Sequence, residues 1–155
     1  MPRSHAIIWL LLIAWNHPDA TAQELVSGIY IMVTPQKKVP CTHEARMIVA
    51  DQKVCISKKP IISDDELTYA SDISYDPRYQ LHYIDIGLSA SGSATLTQTI
   101  NSLPDSRFAL ALEGRVICVF TADPTIAIRS FRIGTDVSLK DLQAIHDVLK
   151  NVKFN

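Results

Sequence analysis

The stretch that most constrains the fold is Arg107–Phe120, RFALALEGRVICVF, where two apolar runs are separated by Glu113-Gly114. That is the spacing of a tight β-hairpin, and Gly114 supplies the positive φ such a turn needs. Period-two alternation puts Phe108, Leu110 and Leu112 on one face and Ala109 and Ala111 on the other. On the return strand it sets Val116, Cys118 and Phe120 against Ile117 and Val119. With both faces apolar, the hairpin is expected in the middle of a sheet rather than at an exposed edge. Its second face, Ala109, Ala111, Ile117 and Val119, needs a cover, which the N-terminal segment is expected to supply.

Residues 1–22 stand apart from that fold. Arg3 and His5 precede an apolar core, Ala6–Trp15, which Asn16-His17-Pro18 breaks before Ala20-Thr21-Ala22. This pattern predicts a secretory signal peptide cleaved before Gln23, and hence a periplasmic product. The apolar core is ten residues long, short of the roughly 20 a bilayer requires, so no membrane span is expected after cleavage. Residues 23–155 then form a single domain, divided into an N-terminal β segment (23–57) and a core (58–150).

Three cysteines remain, and in an oxidising compartment Cys41 and Cys55 are the natural pair, although sequence alone leaves other pairings open. Cys118 lies inside the hairpin and reads as a small buried hydrophobe.

Further elements follow from periodicity. Gly28–Thr34 reads as a strand stopped by Pro35, and Met47–Ala50 with Lys53–Ser57 as a strand pair around Asp51-Gln52. The acidic run Ser63-Asp64-Asp65-Glu66 has the look of a helix N-terminus. Ala70–Tyr75 and Leu81–Leu88 are strands flanking a Pro-containing turn. Leu96, Ile100 and Leu103 give Ser89–Leu103 the stripe of an amphipathic helix. Ile126–Ile133 is another strand. In the last helix Ser138 is the N-cap with Asp141 three residues on, and Val137 and Leu142 form a staple. Leu142, Ile145 and Leu149 face the core, and His146 is expected on the helix surface. The order from Ala70 is β-β-α-β-β-β-α. The fold class expected is α+β, an antiparallel sheet with two helices on one face, plus the N-terminal β segment.

Chemistry-bearing motifs are thin. Gly87-Leu88-Ser89-Ala90-Ser91 lacks the second glycine of a nucleophile elbow, and His43-Glu44 lacks the second histidine of a zincin. Cys41-Thr42-His43 offers two metal ligands where a structural zinc site takes four. No catalytic residue, cofactor or metal is therefore expected, and the chain reads as a binding protein rather than an enzyme. The net charge is −1 with no basic stripe, which argues against a nucleic-acid partner. The candidate recognition residues are Tyr75, Arg78 and Tyr79, on a Pro-stiffened turn with residue types enriched in interface hot spots. The alternative is an ordinary surface hairpin whose tyrosines lean on the sheet.

The run Lys59-Pro60-Ile61-Ile62-Ser63-Asp64-Asp65-Glu66-Leu67, a strand pair, and then Ser91-Gly92-Ser93-Ala94 opening a helix resembles the head subdomain of the first periplasmic region of SecD. So do the apolar strand, acidic-Gly turn and basic residue of Arg107–Ile117, and the terminal helix within Thr135–Lys150. The likeness spans residues 58–150. It implies a non-catalytic, export-side module that contacts another polypeptide, without the membrane-embedded parts that carry proton transport in that family. Two functions are compatible with it. The one expected first is a periplasmic protein that binds and neutralises a partner, of the immunity or inhibitor type, with a toxin or effector as partner. The other is an envelope accessory factor that assists export or folding of an exported polypeptide.

Overall fold

The computed structural model describes residues 25–34, 41, 43–49, 52–122, 129–134 and 137–154. The signal peptide and its cleavage site, the Pro35 strand stop, Asp51, Asp123-Pro124 and the start of the Ile126–Ile133 strand lie outside the described residues. The chain forms β1 (Gly28–Ile31), β2 (Glu44–Arg46), β3 (Lys53–Cys55) and β4 (Ile62–Ser63). A single 3-10 turn, Asp64–Glu66, leads into β5 (Leu67–Ala70), β6 (Ser74–Asp76) and β7 (Leu81–Leu88). Helix α1 (Ala90–Ser102), the hairpin β8 (Arg107–Leu112) and β9 (Arg115–Thr121), β10 (Ser130–Ile133) and α2 (Leu139–Leu149) complete it.

The hairpin forms as expected, with Glu113 and Gly114 both at positive φ. Strand β8 is internal, flanked by β9 and β1 in the antiparallel order β4-β1-β8-β9. One expectation about its faces is corrected. Leu110 pairs with Cys118 but Ala111 pairs with Val116, so β9 carries one extra residue at a β-bulge. The bulge turns Ile117 onto the face of Leu110, Cys118 and Phe120, and sends Val116 to the face of Ala109 and Ala111. That second face is covered by the N-terminal segment: Tyr30, Ala45, Val54 and Ile56 pack there in a small separate core. The outer edge of β9 is met at Val116 by a parallel bridge from Met47, with Ile48 N donating to Val116 O at 2.9 Å.

The expected single sheet is divided. A second antiparallel group has the order β10-β7-β5, with β6 also paired to β7, and β2 and β3 make a two-stranded ladder of their own. The class remains α+β. Helix α1 packs against β4 and β7, and α2 against β7, over one main core. The expected strand Ala70–Tyr75 splits into β5 and β6 because Ser71 intercepts the ladder. Its amide donates to Asp85 O and its hydroxyl accepts from Asp85 N, each at 2.9 Å. The second N-terminal pair is Glu44–Arg46 with Lys53–Cys55, so its first strand begins earlier than Met47. Cys41 and Cys55 are bridged across a separation of 14 residues, and Cys118 is free and buried.

Both helices start at a capping serine, Ser138 as expected and Ser89 as the structure shows. Ser89 Oγ accepts from Gly92 N at 3.0 Å, and Ser138 Oγ accepts from Asp141 N at 3.1 Å. In α1 the Thr97 and Thr99 hydroxyls back-bond to the carbonyls of Ser93 and Thr95, which adds nothing to helix propensity, so the helix depends on its docking to the sheet. Leu96 and Ile100 are buried, but Leu103 is exposed because the chain has left the helix at that C-cap. The acidic run is one 3-10 turn rather than a helix start, with Ser63 Oγ bonded to the Asp65 carboxylate.

Candidate protein-contact surfaces

The candidate residues Tyr75, Arg78 and Tyr79 lie at the β6–β7 turn, and all three are exposed. The turn is built by Asp76, whose Oδ1 accepts from Arg78 N at 2.9 Å and Tyr79 N at 3.4 Å, with Gln80 closing it at φ 53. Tyr75 points to the His82 side of the strand pair, ring centroids 5.0 Å apart, whereas Asp76 turns to the opposite face.

That opposite face of β7 is the side away from the main core. It carries Tyr83, Asp85 and Gly87, joined by Ser130 and Arg132 of β10 and Tyr69 of β5. Arg132 forks onto Asp85, Nε to Oδ1 at 3.0 Å and Nη2 to Oδ2 at 3.3 Å, and reaches Asp76 Oδ2 at 3.5 Å. Its guanidinium lies 3.5 Å over the centroid of Tyr83. The Asp85 hydrogen bond, and then the nearby carboxylates, raise the guanidinium pKa further above its ordinary value. Arg132 thereby ties the β6–β7 turn to β10. Tyr69 is 47 % exposed and lies across Gly87, where an added Cβ would fall 2.2 Å from its ring. The result is a tyrosine-bearing sheet face over which no helix packs among the described residues. Motif reading missed Tyr69 and Arg132. The available signal was Gly87, a glycine inside an alternating strand, which marks the close approach of another group.

His146 is a correction. It is buried, and its Nε2 lies 3.2 Å from Asp72 Oδ1 because the β5–β6 connection folds over this edge of α2. With Ala70, Leu149, Val152 and Phe154 it lines a hollow of about 210 Å³. Among the described residues no group of three or more His, Cys, Asp or Glu side chains is arranged to hold a metal ion.

No protein-family model matches the chain, and no curated protein matches its sequence. Two solved structures share the fold. A SecDF crystal structure in a super-membrane-facing form superposes with a TM-score of 0.52 at 15% identity over 83% of this chain. A second, of SecDF described as a membrane component that enhances protein export, gives 0.51 at 12% identity over 81%. The chain spans 19% of the first of those proteins and 63% of the second. Its fold is SecD-like, as the resemblance of residues 58–150 implied.

Proposed function

We propose that this chain is a non-catalytic, export-side module that contacts other polypeptides. The carrying observation is the shared fold with SecDF, a component described as enhancing protein export. The sheet face bearing Tyr69, Tyr83 and Arg132, continuous with the turn carrying Arg78 and Tyr79, supports a contact role. Residues 1–22 carry the pattern that would deliver a single domain, 23–155, to the periplasm. No helix among the described residues is long and apolar enough to cross a membrane. An exported polypeptide accords with the SecDF likeness. Nothing in the fold speaks for a toxin or effector, so the accessory reading takes precedence over the immunity or inhibitor reading.

The test pairs two measurements. Binding of the purified protein to an unfolded precursor is followed by fluorescence anisotropy, and processing of that precursor is timed in cells with and without the chain. Binding to the unfolded but not the folded form is expected, with slower processing when the chain is lost. Arg78→Ala combined with Tyr79→Ala is expected to weaken binding by about 2 kcal/mol at unchanged Tm. Normal processing together with no binding would remove the export reading.

A further inference from the structure

A second surface lies on the other side of the first sheet, where the N-terminal segment covers Ala109 and Ala111. There an open hollow of about 810 Å³ has an apolar floor that includes Tyr30, Ala45 and Ile56, all buried, with Leu25, Val26 and Pro60 beside them. The Tyr30 hydroxyl donates to Val26 O at 2.7 Å, which occupies its proton and leaves the ring to act as apolar surface. Burial also pushes the Tyr30 phenol pKa upward, so it brings no negative charge to the floor.

The rim is cationic. Arg46 comes from β2, Lys58 and Lys59 from the connection between β3 and β4, and Arg115 from the start of β9. The one carboxylate in the lining, Glu44, is engaged with Lys53 at 2.5 Å. Among the described residues, Lys58, Lys59 and Arg115 make no ion pair. An apolar floor beside these three cations selects a ligand that is apolar and anionic together.

We infer that this hollow binds an extended polypeptide segment in which apolar side chains alternate with carboxylates. The inference rests on the module reading but concerns a surface separate from the β6–β7 turn. Two features favour a peptide. Lys58 and Lys59 come from the β3–β4 connection and Arg115 from β9, so a fatty acid with its single carboxylate would leave two of the three unmatched. An extended chain presents side chains to opposite sides in turn, which lets alternate residues meet floor and rim. Nucleic acid would need an exposed aromatic platform, and the tyrosine in the floor is 2% exposed.

The experiment titrates the purified protein with a fluorescein-labelled octapeptide alternating leucine with glutamate, beside one alternating leucine with lysine, with Tm recorded for every variant. The acidic peptide is expected to bind, to weaken as salt is raised, and to lose about tenfold in affinity with Lys58→Glu plus Arg115→Glu. Lys59→Glu alone is a milder second variant, expected to weaken binding in the same direction. Equal binding of the lysine peptide, or full affinity in the charge-reversed variants, would overturn the inference while binding of an unfolded precursor kept the module reading alive. Dodecanoate binding here in place of the acidic peptide would assign the hollow to a lipid anion and overturn it as well.

Discussion

The ring of Phe120 stacks on that of Phe131 with centroids 4.2 Å apart and planes 9° from parallel. Phe120 belongs to β9 and Phe131 to β10, the facing strands of two sheets that share no ladder among the described residues. Phe108 extends the stack at 5.6 Å. Among the described residues the sheets are thus joined by packing rather than by a shared ladder. Phe131→Ala is expected to cost about 3–5 kcal/mol through the cavity left between them, and Phe131→Leu less than about 1.5 kcal/mol. Urea unfolding of the two variants checks the ordering.

Arg132 holds the β6–β7 turn through its fork on Asp85 and its reach to Asp76. Its side chain is 39% exposed, so solvent discounts the pair, and Arg132→Ala should cost only about 1 kcal/mol. Local loosening is the sharper readout. Amide exchange at Tyr79 and Gln80 should accelerate, and Arg132→Lys should not restore protection, since lysine cannot make the fork.

The Cys41–Cys55 bridge ties the start of the β2–β3 hairpin to β3, and that hairpin covers Ala109 and Ala111. In the chain-entropy account a loop of this length contributes roughly 3 kcal/mol. Reduction, or Cys41→Ser, should lower the urea midpoint accordingly. An unchanged midpoint under reducing conditions would show that packing alone holds the hairpin.

Burial pushes the Cys118 thiol pKa up to about 12 from an ordinary 9.0. The folded state therefore favours the neutral thiol. Its contribution is complete below pH 9.0 and is lost as pH rises toward about 12. Across that window the unfolded chain has released a proton that the folded chain keeps. Stability of the native protein should then fall more steeply with pH than that of Cys118→Ala, by up to about 1.4 kcal/mol per pH unit. A thiol reagent at pH 8 should leave Cys118 unmodified until the protein unfolds.

Elements specified by neighbours in sequence were legible before the structure. Glu113-Gly114 marks its hairpin and Ser138 its helix start, because each signal works over two or three residues. The Cys41–Cys55 pair was also legible, since the chain has only three cysteines and one of them sits inside the hairpin. The contact surfaces were only half legible. The turn residues Tyr75, Arg78 and Tyr79 stand together in sequence, whereas the face they adjoin is assembled from Tyr69, Tyr83 and Arg132 on three strands.

By itself, then, the sequence determined the α+β class, the central hairpin, both helices and the need to cover the Ala109–Ala111 face. Hydrophobic period and capping are local, and a chain that buries an apolar face must find something to cover it. Tertiary structure alone decided the exchange of Val116 and Ile117 between faces, the division into sheets, the burial of His146 and the cationic rim of Lys58, Lys59 and Arg115. Each depends on residues far apart in the chain. A one-residue bulge reverses a face without altering composition. Likewise, a helix edge reads as solvent-facing until the β5–β6 connection is seen to fold over it.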